Sequence, residues 1–343
     1  MKLVSVARGG IFAVILLTLP LFNLQHWFLN IMVFVLMFAT MSSAWNLVGG
    51  FAGYPSLGHA AFFGIGAYSL AIYFEHHAIS FGLEPFLTLP FVFVIGFLIG
   101  VPIAWVSMRT RADVFAIVTI TFLFVVQTIA FNWTTVTGGS QGIITPNYKI
   151  SNTYFEWPYY YVLAVMLLGT MALTFYTMRS KVGLSLVSIR ADEDKALGIG
   201  VRTTGVKVLA FSVSVGITAM VGAVWAYYTT GIYPQFAIDP LITIAMVLMT
   251  FLGGRGTLWG PVLGAFILES AQQTLAYQLG GAQVYLIVYS LVFIVIIRFL
   301  PRGIIPTIED KLRLRKRRII TDAPPPDSVS TSDPVPALGG GAA

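Results

Sequence analysis

The chain has no cysteine among its 343 residues, which excludes disulfides, thiolate metal sites and cysteine nucleophiles. Charge is scarce as well. Only 10% of residues are Asp, Glu, Lys or Arg, against about a quarter in an ordinary soluble domain. A chain this poor in polar surface cannot cover a water-soluble globule of its size, so a soluble enzyme is excluded. Histidine occurs four times, as His26, His59, His76 and His77. No H-E-x-x-H is present, and the adjacent His76 and His77 would point about 100° apart on a helix, so nothing supports a metal site. The phosphate-binding pattern G-x-x-x-x-G-K-[ST] is missing too, so the chain binds no nucleotide through a P-loop of its own. The alternation of a membrane barrel is lacking. Lys2 and Arg8 precede an apolar run without an A-x-A-like cleavage site, so the run reads as a retained first helix.

What the chain has in abundance is apolar sequence, 57% of residues. Hydrophobic runs recur from Ile11 to Leu300, several reaching the roughly 20 residues of a bilayer crossing. Backbone in hydrocarbon must satisfy its own hydrogen bonds, so these runs are read as helices. The expected fold is all-α and polytopic, with about ten transmembrane or re-entrant helices at 10–25, 27–48, 56–74, 86–108, 112–133, 158–178, 208–228, 240–252, 257–278 and 283–300. Glycines interrupt 56–74 and the pair 240–252 and 257–278, which could be re-entrant or broken helices.

The net charge of +6 sits in short segments between apolar runs, the pattern of membrane orientation rather than of nucleic-acid binding. With ten crossings and both termini cytoplasmic, 19 of the 20 Lys and Arg residues fall inside and only Lys149 falls outside. The expected organisation is a membrane domain over 1–306, a cytoplasmic loop over 179–207, and a cytoplasmic tail over 307–343. That tail begins with the basic Lys311–Arg318 cluster, suited to anionic lipid headgroups. It then turns rich in Pro, Ser, Asp and Gly, a composition that cannot bury a core.

Four stretches carry candidate chemistry. In the 179–207 loop, Asp192, Glu193 and Asp194 suit a first helical turn, where the macrodipole favours anions. Gly200 is placed to cap the helix. Ala196, Leu197 and Ile199 add an apolar strip that a docking helix needs and a connector does not. The glycine-rich stretches 49–68 and 253–264 interrupt apolar segments in two halves of the chain, a pointer to a transport pathway. Gly256, Gly260 and Gly264, spaced four apart, make a flat face for helix packing. In the outer loop, residues 138–142 formally match G-x-S-x-G around Ser140, but a nucleophile elbow requires an α/β sheet. Glu269 is the ionisable residue best placed inside a span, where such groups are costly; a helix-end or interhelical hydrogen bond is its simplest role.

Taken together, Trp45-Asn46-Leu47, Ser56-Leu57-Gly58-His59-Ala60-Ala61-Phe62, Phe115–Thr119, Thr137–Gly142, the inner loop, Gly253–Gly264 and Pro301-Arg302-Gly303 resemble the permease family of branched-chain amino acid ABC transporters. The resemblance runs from about Ser43 to Pro306. It implies a bacterial inner-membrane subunit that pairs with a homologous second permease and takes substrate from an extracytoplasmic binding protein. Two separate ATPase subunits would use the ATP, and this chain would bind no cofactor. The substrates implied are leucine, isoleucine and valine, or urea and short amides. The family's ATPase-coupling motif maps onto Arg190, Glu193, Ala196 and Gly200, with Lys195 where a second alanine is usual. Ser56, His59 and Ser140, beside glycine interruptions, are the expected polar groups of the path. The other classes left open are an ion-coupled carrier built on Glu269 and an intramembrane serine hydrolase built on Ser140.

Overall fold

The computed structural model describes residues 2–22, 25–77, 83–145, 155–278 and 303–308, with isolated positions between 290 and 298. Most of the expected 283–300 span, Lys149, Pro301-Arg302 and the tail from 309 onward lie outside the described residues.

Among the described residues the chain is almost wholly helical. Helix α1 (Lys2–Thr18) leads through a short 3-10 turn to α2 (His26–Trp45), which continues as a seven-residue π-helical segment, Asn46–Ala52. Helix α3 (His59–Glu75) follows, then the short α4 (Glu84–Leu87), α5 (Leu89–Ser107), α6 (Ala112–Asn132) and the single turn α7 (Thr134–Thr137). Next come α8 (Glu156–Met178), α9 (Lys181–Ala191), α10 (Glu193–Gly198) and α11 (Thr203–Thr229). The last are α12 (Pro234–Ala237), α13 (Pro240–Gly253) and α14 (Gly260–Gln278). Among the described residues, six stretches are long and apolar enough to cross a membrane: His26–Ala52, Leu89–Ser107, Ala112–Asn132, Glu156–Met178, Thr203–Thr229 and Pro234–Gly253. The chain is a multi-pass, all-α membrane protein.

Helices α2 and α11 are enclosed along most of their length, while α5 and α6 expose most of theirs. The core therefore runs along α2, α3 and α11, and small residues allow its helices to approach. A Cβ at Gly66 would lie 1.9 Å from the Ala219 carbonyl oxygen, and one at Gly222 would lie 2.0 Å from that of Phe63. Backbone contact of this kind is how helices associate in lipid, where apolar side chains gain nothing by leaving the solvent. The only strand pairing among the described residues is a two-residue antiparallel bridge, β1 (Ile143–Ile144) with β2 (Gly231–Ile232), which joins the segments beyond α6 and α11.

Candidate functional site

The two glycine-rich stretches meet in space. The Asn46 side chain, at the start of the π segment, spans them: its Oδ1 accepts from the Gly256 N–H at 2.8 Å and its Nδ2 donates to the Thr257 carbonyl at 2.8 Å. Trp45 Nε1 donates to the Ser56 carbonyl at 2.8 Å, pulling the chain beyond the π segment back against α2. π-Helical turns mark insertions into the helical ladder, often at working sites. Here the turn brings Gly50 beneath the last turn of α9, where Arg190 Nη1 donates to the Gly50 carbonyl at 2.7 Å. A Cβ on Gly256 would lie 2.5 Å from that Nη1, and one on Gly53 would lie 3.0 Å from Arg190 Cγ. The guanidinium thus lies in a trough that only glycine leaves open.

Helix α10 sits immediately after this clasp. Its cap is Asp192, whose carboxylate accepts from the Lys195 N–H at 3.1 Å and pairs with the Lys195 ammonium at 2.8 Å. At its other end Gly200 takes φ +87° while the Val201 N–H returns to the Ala196 carbonyl at 3.1 Å, a left-handed closure that suits glycine. Ala196 is buried against the bundle; Leu197 and Ile199 project outward, 53% and 77% exposed.

Glu193 faces inward. Its carboxylate accepts a hydrogen bond from the Tyr54 hydroxyl and another, at 2.5 Å, from the Lys207 ammonium. Lys207 also donates to the Tyr54 oxygen at 3.1 Å and lies 4.2 Å from the centre of its ring. The Lys207 side chain is 2% exposed, that of Glu193 28%. Burial alone would push the Glu193 carboxyl up, but the bonds from Lys207 and Tyr54 and the lysine's charge outweigh it, so Glu193 is held below its ordinary value of 4.5. A depressed carboxyl adds stability that is fully present above its unfolded pKa and is lost as pH falls through the folded one. Thermal melts of the purified protein should therefore show a loss of Tm as pH drops below about 4.5, with this component absent from Glu193→Gln.

Ser56 and His59 are fully buried. His59 at the start of α3 bonds through Nδ1 to Ser56 Oγ at 3.0 Å and through Nε2 to Ser214 Oγ at 2.8 Å, and Ser214 donates to the Ala44 carbonyl at 2.7 Å. Ser140 is not part of this group. The Leu57 N–H bonds Thr119 in the first half of α6, whereas Ser140 is exposed in the turn beyond the end of α6. The run from 119 to 132 alone spans roughly 20 Å at 1.5 Å per residue. The histidines are engaged elsewhere: His26 with Glu156 at 3.1 Å, His77 with the Tyr73 carbonyl at 2.8 Å. Glu269 is fully buried in α14; one oxygen accepts from Gln273 at 2.7 Å and the other has no partner among the described residues.

Gly260 and Gly264 pack α14 onto the end of α13: a Cβ at Gly264 would lie 1.8 Å from the Met249 carbonyl oxygen. Gly256 instead lies in the turn before α14, against Arg190. Sequence reading passed over Tyr54, Lys207, Ser214 and Thr257. Lys207 offers a signal, being a lone cation at the edge of an apolar run, but charge counting places it at the end of the 179–207 loop.

The profile of the family described as branched-chain amino acid transport system, permease component, matches residues 27–297. The chain is similar to the high-affinity branched-chain amino acid transport system permease protein LivM of Escherichia coli K12, 23% identical over 91% of this chain and 78% of the relative. The LivM protein of Salmonella typhimurium gives the same values. A probable LivM of Methanocaldococcus jannaschii is 24% identical over 62% of this chain and 66% of the relative. No solved structure matches. With the family profile extending over most of the bundle, the chain belongs to the branched-chain amino acid transport permease family.

Proposed function

We propose that the chain is the membrane-spanning subunit of an ATP-driven importer for leucine, isoleucine and valine, seated in a bacterial inner membrane with both termini cytoplasmic. A second, homologous permease would complete the path. Two ATPase subunits would drive the permease pair, one of them docking on the α9–α10 face of this chain, and a binding protein would deliver substrate to the opposite face. The observation that carries this reading is α10: a capped helix, held to the bundle through Glu193 and through Arg190 on the preceding α9, with Leu197 and Ile199 held out into solvent. An amphipathic helix offered this way fits a groove on a partner. Urea or short amides are the alternative cargo, and Ser56, His59 and Ser140 remain the proposed polar groups of the path.

The test is a pull-down of the tagged chain from native membranes in mild detergent, followed by uptake assays in proteoliposomes made from the recovered complex. Recovery of a second permease and P-loop ATPases, with ATP-dependent uptake of labelled leucine, is the expected result. A chain that carries leucine alone under an ion gradient would overturn it.

A further inference from the structure

Glu193 lies in the segment assigned to ATPase coupling, yet its carboxylate points away from the surface where an ATPase would bind. It is occupied by Tyr54 and Lys207. These two belong to different elements. Tyr54 follows the π segment that ends α2, and Lys207 lies in the first turns of α11, the longest α-helix among the described residues. One hydrogen-bonded knot therefore ties α10 to the two most enclosed helices.

From the knot, packed contacts lead inward. The Tyr54 ring meets Phe115 edge-on at 5.8 Å, Phe115 meets Phe211 at 5.7 Å, and Phe211 meets the His59 ring at 5.8 Å. Phe211 stands one helical turn beyond Lys207 on α11, and Ser214, which bonds His59, stands about one turn further. The path thus runs without a gap from the exposed α10 helix to the buried Ser56–His59–Ser214 group.

We propose that Glu193, Lys207 and Tyr54 form a transmission joint: positioning residues that pass displacement of α10 to α11 and the end of α2, while Leu197 and Ile199 make the contact with the ATPase. This rests on the reading of α10 as the ATPase-docking helix. Glu193 is then an inward anchor and not a docking contact. Lys207 is buried because the joint has to stay stiff. A water-exposed ion pair holds its geometry too loosely to transmit a small movement, whereas a buried charge that is paired and hydrogen-bonded has few alternative positions.

The experiment uses the complete transporter in proteoliposomes and reads three quantities: ATPase capture by the tagged chain, ATP hydrolysis, and labelled leucine taken up per ATP hydrolysed. Lys207→Met keeps the apolar stem and leaves Glu193 able to turn to water. It should retain capture and hydrolysis while uptake per ATP falls about tenfold, within the range of coupling free energies between sites. Tyr54→Phe keeps the ring against Phe115 and removes the hydroxyl, and should lower the same ratio with no change in capture. Exchanging the pair, Glu193→Lys with Lys207→Glu, should recover much of the uptake that Lys207→Glu alone loses, because residues in contact are not additive.

An unchanged uptake-to-hydrolysis ratio in Lys207→Met overturns the joint. If Lys207→Met fails to run as a single folded species, an unchanged ratio in Tyr54→Phe does so instead. Leu197→Glu separates the two readings. Its loss of ATPase capture supports docking whatever Lys207 does, and full capture in that variant overturns the docking reading itself.

Discussion

Replacing Gly264 with valine should abolish the folded protein. The new Cβ would lie 1.8 Å from the Met249 carbonyl oxygen and 3.1 Å from the Gly253 nitrogen. These atoms belong to the backbone of α13, so no rotamer change can move them aside. Relief requires α13 and α14 to separate, and α14 also packs along α2, so the separation would open the bundle. Overpacking costs about 1–3 kcal/mol where side chains can yield, and more where they cannot. That is a large share of a typical total stability of about 5–15 kcal/mol. Size-exclusion chromatography with a fluorescent fusion should show aggregate in place of a monodisperse peak. Gly169→Ala in α8 is the control: nothing lies within 4 Å of a Cβ there, and an exposed helical glycine exchanged for alanine gains about 0.5–1 kcal/mol. A monodisperse Gly264→Val protein with an unchanged melting temperature would refute the close α13–α14 contact.

The second large effect is expected from the paired change Leu197→Glu and Ile199→Glu. At 53% and 77% exposure, neither side chain supports the fold, so melting temperature and membrane yield should hold. Capture of the ATPase subunits should fail. Buried anchors at interfaces are worth about 2 kcal/mol or more each, roughly thirtyfold in affinity, and a carboxylate forced into the same groove adds an unpaired charge. Titrating purified ATPase against the variant in nanodiscs gives the number directly. Affinity within about threefold of wild type, well short of an anchor's contribution, would remove α10 from the interface.

Much of this was legible in the sequence because lipid leaves the backbone few choices. Runs such as 86–108, 112–133 and 158–178 match α5, α6 and α8 closely: an apolar segment of that length has only helical ways to bond its own amides. The closure of α10 at Gly200 was legible for a similar reason, since it acts within a few residues of itself, whereas Asp192, expected within the first turn, stands one place earlier as the N-cap. Contacts between distant segments were not. Nothing local to Asn46 announces that its amide spans Gly256 and Thr257, and the shared Gly-Gly openings of the two stretches gave no hint that they touch. Lys207 illustrates the same limit from the other side. Counting charge by loop assigns every cation a place in water, and only the fold shows that this one is paired with Glu193 inside the protein. The ionisable residue that stands out in the sequence instead is Glu269, a carboxylate inside an expected span, although Ser270, Gln272 and Gln273 follow it and suit a polar helix end.

The bridge of Ile143 with Ile232 gives the bundle a fulcrum. It fastens the segments that follow α6 and α11 at the end of α11 opposite Lys207. Helix α11 has 27 residues, so it is a rod of roughly 40 Å at 1.5 Å per residue. A rod pinned at one end and pushed at the other converts a linear stroke into an angle. On that arm, a stroke of about 2 Å at Lys207 is a rotation of only about 3°, small enough for side-chain packing to follow without a break in the helix. If α10 delivers the proposed stroke at Lys207, the bridge makes a small tilt of α11, shared with the helices packed along it, the expected response, widest on the α10 face and least beside the bridge.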